Sequence, residues 1–248
     1  MLNAQAELWN LTFSFLKSMT LKCAIELGIP TAIHNNGQPM TLHELHAALS
    51  LPINNKPNLC RLLRMLTHLG FLVVHDTSNN KEAVYDLTPI SHLVINKADS
   101  SSLLPFSLAM LDFTLVKPSL YLGDWFKQDK LENIQMDHGC TIWELTGQRP
   151  EFNTLFNDAM TSDSSFISDY IINDHGNVFQ GISSLVDVGG GSGSVAIAVA
   201  KAFPKIECIV LDLPQVVGHL PTDGLVKFVS GDMFSNIPPA NAVFLKVQ

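Results

Sequence analysis

The stretch Ser184-Leu-Val-Asp-Val-Gly-Gly-Gly-Ser-Gly-Ser-Val-Ala-Ile-Ala-Val-Ala-Lys-Ala-Phe203 limits what this chain can fold into more than any other. It opens on an apolar run, Leu185 to Val188, of the kind a buried parallel strand needs. Glycines follow at alternate positions, Gly189, Gly191 and Gly193. A small-residue helix pattern then runs from Val195 to Phe203 and stops at Pro204. Strand, glycine turn and helix open a nucleotide-binding α/β unit, because glycine takes positive φ and lets a ligand approach the backbone.

The spacing narrows the ligand. A dinucleotide fingerprint places a third glycine where this chain has Ser194. A phosphate-binding P-loop needs a lysine in the turn, and none is there. The Asp-x-Gly-x-Gly-x-Gly pattern suits S-adenosylmethionine, which carries a sulfonium and no phosphate to cradle. Alternating α/β signals continue downstream. A second strand is expected over Glu207 to Leu211, ending at Asp212-Leu-Pro214, and a third over Leu225 to Val229, ending at Gly231-Asp-Met233. A fourth is expected over Ala242 to Val247. Each ends in polar or turn residues, where ligands bind in such sheets.

The first half reads differently. Residues 1 to 29 are helical by pattern, ended by Gly28 and Pro30, and their apolar residues cover more than one face. Such a surface needs a lid or a second copy of the chain, and the pattern alone leaves both open. Thr41 to Ser50 forms a short helix with a capping box of Thr41 and Glu44. Pro57 to Leu69 forms the next helix. Phe71 to His75 and Ala83 to Leu87 form a hairpin across Thr77-Ser-Asn-Asn80. Helix, turn, helix and hairpin outline a winged helix. A DNA reader would carry a basic second helix, whereas this one offers only Lys56, Arg61 and Arg64 in an acidic chain, so dimerisation or scaffolding is the expected use. His43 and His46 share a face at metal-ligand spacing, but no Cys or carboxylate cluster completes a site, and no metal is expected. Residues 98 to 180 are mainly helical. There Phe152, Phe156, Ala159 and Met160 lie on one stripe, which serves equally as core or as the wall of a flat ligand.

Composition bounds the rest. A length of 248 residues suits one large or two modest domains, and 46% hydrophobic residues supply a core. The net charge of −8 argues against nucleic acid or an anionic membrane as partner. Four scattered cysteines, Cys23, Cys60, Cys140 and Cys208, read as reduced thiols. With no signal segment or apolar span, a cytoplasmic protein is expected.

Taken in order, Leu185-Val-Asp-Val-Gly-Gly-Gly-Ser-Gly193, Asp212-Leu-Pro214, Gly231-Asp-Met-Phe234 and Ala242-Val-Phe-Leu-Lys246 resemble the motifs of plant small-molecule O-methyltransferases. Leu69-Gly-Phe-Leu72, Tyr85-Asp-Leu-Thr88 and the Phe156-Asn157 helix fit the same family. The resemblance implies an α/β Rossmann-like cofactor domain, here only its first strands, preceded by a mainly α winged-helix dimerisation domain. Its boundaries would be 1–97 for dimerisation, 98–180 for a helical linker and substrate pocket, and 181–248 for the cofactor. It implies methyl transfer from S-adenosylmethionine to a phenolic hydroxyl of an alkaloid, flavonoid or phenylpropanoid by a homodimer. Gly189 would begin the turn under the methionine part, and Asp212 would take both ribose hydroxyls. Asp232 and Met233 would flank the adenine, and Lys246 would lie beside the cofactor. Met110, Phe152, Phe156 and Met160 would line the phenol pocket.

In that family a histidine base follows the fourth strand in a His-Asp-Trp run, whereas this chain reads Lys246-Val-Gln248. The expectation is a member truncated at its C-terminus, a splice product or an incomplete gene model, with the histidine beyond Gln248. The alternative function is then an inactive homologue that serves as a dimerisation partner. His138, His175 and His219 sit in no matching motif.

Overall fold

Pattern and structure agree on helices at the start of the chain, and disagree on where they break. The computed structural model describes residues 1–75, 82–95, 102–218, 220 and 224–246. Helices cover Leu2–Thr12 and Ser14–Glu26, interrupted at Phe13 (φ −98°, ψ 8°). Gly28 does end the second helix, in the left-handed region at φ 72°, but Pro30 does not stop the segment. It lies in the first turn of a third helix, Ile29–Asn36. Proline is at ease there, because the first turn leaves its amide nitrogen without an intrahelical partner anyway. Pro105 and Pro150 likewise stand at helix starts, Leu104–Met110 and Pro150–His175.

The winged element is present. Helix Leu42–Ala48 starts from a complete capping box. Thr41 Oγ1 accepts the Glu44 N–H at 3.2 Å, and Glu44 accepts the Thr41 N–H at 2.8 Å. The Thr41 N–H, and the Thr41 hydroxyl that donates to the same carboxylate oxygen at 2.9 Å, hold the Glu44 carboxyl below the ordinary carboxylate range. Helix Lys56–His68 turns Leu59, Leu63 and Leu66 into the core. A two-stranded hairpin was expected; the sheet has a third strand. β1 (Met40–Thr41) pairs antiparallel with β3 (Val84–Leu87), which pairs with β2 (Leu72–His75). The hairpin turn at 77–80 lies outside the described residues. The core of this unit gathers Ala24, Ile29, Ile33, Leu45, Leu63, Leu66 and Leu72.

By contact density the chain forms two units, Met1–Ala159 and Met160–Gln248. The second is built on a wholly parallel sheet. Its strands are β4 (Ser184–Val188), β5 (Glu207–Asp212), β6 (Val226–Ser230) and β7 (Ala242–Leu245), in the order β6-β5-β4-β7. The side chains explain the register. Val186 and Val188 face one layer with Ile209 and Leu211. Leu185 faces the other, with Val210, Cys208 and the helix Ser194–Ala202. The chain runs outward from β4 to β6 and then returns to β4's other side as β7. Sheets of this kind take their ligands at the point where that order reverses, beyond the carboxyl ends of the strands.

The capping box offers a clean check of the first unit. Thr41→Ala removes one side of it and is expected to cost about 1 kcal/mol of stability, read by denaturant unfolding. A change within error would mean that β1 pairing, not the cap, holds the start of that helix.

Candidate functional site at the carboxyl ends of the parallel strands

The glycine turn follows β4 and has the predicted alternation. Gly189, Gly191 and Gly193 take φ of 68°, 56° and 77°. Each is in the left-handed region that a Cβ disfavours. Gly193 caps the helix Ser194–Ala202, and its N–H donates to the Gly190 carbonyl at 2.8 Å. The fourth glycine, Gly190, is needed for a different reason. A Cβ there would stand 2.7 Å from Asp187 Cγ, 2.8 Å from Asp187 Oδ2 and 2.9 Å from Val210 Cγ1. The turn therefore lies directly over the Asp187 carboxylate.

Asp212 ends β5 and ties that strand to the turn. Its Oδ2 accepts the Gly191 N–H at 2.8 Å and its Oδ1 the Leu213 N–H at 2.7 Å. A carboxylate has about four acceptor sites, so two remain for ligand hydroxyls. Asp232 follows β6 and is exposed. Its Oδ1 accepts the Phe234 N–H at 3.0 Å and its Oδ2 the Ser235 hydroxyl at 3.1 Å. Met233 is half-buried against the layer of Val186, Val188, Ile209 and Leu211. Lys246 follows β7 and is pinned. Its Nζ lies 2.6 Å from Asp163 Oδ2 and donates to Ser164 Oγ at 2.9 Å. All five residues assigned to the cofactor thus stand at or just past the carboxyl ends of four neighbouring strands.

Sequence reasoning missed two members of this cluster. Asp163 and Ser164, on the helix Pro150–His175, hold Lys246, and nothing in the local pattern marks them. Asp187 was quoted only as part of the motif. It is 2% exposed, and its Oδ2 has no hydrogen-bond partner among the described residues. Desolvation pushes its carboxyl up to about 6. The Ala196 N–H and the Lys246 ammonium oppose that rise, and the Asp212 charge adds to it. The available signal was an acid inside an otherwise apolar strand. A cradle of positive-φ glycines over an orphaned buried carboxylate, with free acceptors on Asp212, fits a cationic ligand that carries vicinal hydroxyls. S-adenosylmethionine is such a ligand.

The residues assigned to the acceptor do not form one group. Phe152 and Phe156 pack together with Ile134, Leu145, Leu115 and Ile142, and Trp143 meets Phe156 edge-on. Leu115, Ile134 and Ile142 also line a cavity of about 330 Å³, with Pro118 and Trp125. Met110 closes a different helix, Leu104–Met110, and belongs to neither group. Met160 falls in the second unit. Of the histidines, His138 Nε2 lies 3.1 Å from the Thr114 carbonyl and His175 Nε2 lies 3.3 Å from the Tyr170 hydroxyl. His219 lies outside the described residues.

Comparison with known proteins gives consistent results. Residues 120–247 match the model of an O-methyltransferase domain and residues 9–97 that of an O-methyltransferase dimerisation domain. A trans-resveratrol di-O-methyltransferase of Vitis vinifera is 46% identical, over 99% of this chain and 69% of the relative. A tabersonine 16-O-methyltransferase of Catharanthus roseus is 41% identical, over 98% and 69%. The expectation of a truncated member finds no support in these matches, which run through nearly all of the chain. Two solved structures share the fold. Human N-acetylserotonin methyltransferase in complex with S-adenosylmethionine has a TM-score of 0.74 at 19% identity, covering 97% of this chain and 69% of that one. A methyltransferase of calicheamicin biosynthesis in its S-adenosylhomocysteine-bound form reaches 0.77 at 21%, covering 98% and 70%.

Burial of Asp187 makes stability depend on pH. Its carboxyl ionises at about 6 in the fold and at an ordinary 3.8 when unfolded. The folded value is the raised one, so the stability it contributes is intact below pH 4 and is lost as pH rises through about 6. At 1.36 kcal/mol per pH unit the loss is about 3 kcal/mol. Asp187→Asn is expected to remove that dependence, so the gap between variant and wild type should shift in the variant's favour by this order between about pH 4 and pH 7. Parallel stability curves for the two proteins would contradict the burial argument. Gly190→Ala forces the turn off Asp187 and is expected to cost about 1–3 kcal/mol, read by thermal unfolding.

Proposed function

We propose a division of labour for this chain, which belongs to the O-methyltransferase family and moves the methyl group of S-adenosylmethionine onto a hydroxyl of a plant secondary metabolite. Residues 181–248 hold the cofactor, 98–180 supply the acceptor wall, and 1–97 pair two copies of the chain. One observation carries the cofactor assignment: Gly189, Asp212, Asp232, Met233 and Lys246 follow four adjacent strand ends around the reversal of strand order.

In this reading Gly189 starts the bend under the methionine part. Asp212 takes the ribose hydroxyls with the acceptor sites that the Gly191 and Leu213 amides leave free. Asp232 accepts from the adenine amino group, and Met233 offers its apolar face. Lys246 stands beside the cofactor, steadied by Asp163 and Ser164. The bound cofactor supplies an electrophilic methyl. What the chain supplies is placement: holding donor and acceptor in line converts a bimolecular step into an effectively unimolecular one.

The acceptor is a phenol. The Phe152–Phe156 pair, with Trp143 at its edge, presents aromatic faces that suit a flat ring. The nearby cavity of about 330 Å³ is within the range of small-molecule sites. The relatives' named substrates, resveratrol and tabersonine, belong to those proteins. They support the reading that this chain's acceptor is a plant secondary metabolite of the alkaloid, flavonoid or phenylpropanoid kind.

The homodimer follows from what the first helices leave uncovered. Leu8, Trp9, Leu11 and Phe15 are each more than half exposed. A continuous apolar face of this kind on a water-soluble chain is covered by a partner, and the match to a dimerisation domain supports a second copy. Among the described residues no helix is long and apolar enough to cross a membrane.

Three measurements test this reading. Labelled S-adenosylmethionine should pass its methyl to at least one phenol in a panel of stilbenes, phenylpropenes, flavonoids and hydroxylated indole alkaloids, and to none of the fully O-methylated counterparts. Transfer to no phenol would sink the acceptor class. Asp212→Ala should weaken S-adenosylhomocysteine binding at least tenfold, as expected for lost buried hydrogen bonds to a ligand; unchanged affinity would remove Asp212 from the site. Leu11→Glu with Phe15→Glu should convert a dimer to a monomer in sedimentation, and persistence of the dimer would move the interface elsewhere.

A further inference from the structure

Among the described residues of this unit, Asp187 is the one buried acid that the proposed chemistry leaves without work. It sits on β4, one residue before the strand end, on the same sheet face as Leu185. The glycine turn closes over it so tightly that Gly190 has no room for a methyl group. One oxygen has no partner among the described residues, and the side chain is shut off from water. An ionised carboxylate in such a place costs free energy unless a cation or donors compensate it.

The charged and titratable groups around it do not compensate it in the empty site. From β5 come Asp212, a like charge, and the Cys208 thiol, itself pushed up to about 11 first by burial and then by Asp187. From β7 comes Lys246, whose ammonium is already held by Asp163 at 2.6 Å and Ser164 at 2.9 Å. The helix Ser194–Ala202 contributes a backbone N–H, that of Ala196, and its lysine, Lys201, lies in its last turn. The cover is the glycine turn, with Gly190 directly against the carboxylate, and it carries no charged side chain. Without ligand the proton is therefore the available cation.

We infer that Asp187 is a proton-linked counter-ion beneath the glycine turn, which gives up its proton to solvent when the cationic methyl donor enters the site. The inference rests on the cofactor reading above. The donor brings positive charge on its sulfonium and its α-ammonium into a water-poor space, and that charge takes the proton's place. The carboxylate beneath the turn is then ionised, and donor affinity rises with pH until Asp187 is ionised without help. Loss of one linked proton changes affinity by up to tenfold per pH unit.

The test is calorimetric titration of the wild-type chain with S-adenosylmethionine in pairs of buffers of low and high ionisation heat. At about pH 6 roughly half a proton should be released per site, because half of the carboxyl is protonated there. Release should fall towards zero at about pH 7.5. Asp187→Asn should show no buffer-dependent heat at pH 6 while still binding. Should that variant fail to fold, the wild-type pH series decides alone. Equal heats in both buffers at pH 6, or proton uptake, would overturn the inference while leaving the cofactor site standing. Absence of any binding heat would overturn both.

Discussion

The hydrogen bond from the Gly191 N–H to the Asp212 carboxylate is the tie on which the second unit turns. It links the bend after β4 to the end of β5, and so fixes the bend relative to the sheet, not merely to its own strand. The Gly189 N–H adds a second link to the Leu211 carbonyl at 2.8 Å, and the Gly231 N–H a third to the Asp212 carbonyl at 2.9 Å. Three consecutive strand ends are thereby stitched sideways, beyond where the parallel ladder stops. A loop that must meet a ligand at fixed geometry gains most from such ties, because loops otherwise open at low free-energy cost.

The tie works only because the residues around it are small. Gly190 lets the bend settle on Asp187, and a Cβ at Gly193 would stand 3.1 Å from Val210 and 3.2 Å from Phe228. The run of glycines is thus not one requirement but two. Alternate members supply positive φ, and Gly190 and Gly193 supply clearance. A substitution at Gly190 or Gly193 would be felt across the sheet, since the crowding atoms belong to β4, β5 and β6.

Much of this was legible in the residues. The four parallel strands fall within a residue or two of expectation because continuous apolar runs bounded by Asp, Gly and Pro leave little choice. The Thr41 capping box was readable because it is a local, two-residue chemistry. The misreadings have physical causes. Pro30 looked like a stop and is a start, because the same fixed φ suits both roles and only the next turn decides. β1 is two residues long and exists only by pairing with β3, a long-range event without a local pattern. Lys246 could be matched to a motif, whereas its partners Asp163 and Ser164 lie 83 and 82 residues earlier, on a helix whose pattern speaks only of apolar spacing. Phe152 and Phe156 were found by that spacing, yet periodicity could not say that Met110 belongs elsewhere.

Charge explains why the bend suits one class of nucleoside and not another. A dinucleotide or nucleotide triphosphate would bring phosphates to the mouth of the sheet, and there, among the described residues, the strand ends present Asp212 and Asp232 against a lysine, Lys246, already paired with Asp163. Carboxylates at a glycine turn repel phosphate oxygens, which a lysine or an open helix N-terminus would otherwise attract. The same carboxylates attract a sulfonium and an ammonium, and accept hydrogen bonds from ribose hydroxyls. Two α/β units can therefore share strand order and glycine turn and still sort their cofactors by the sign of charge at the strand ends. In this chain that sign is negative.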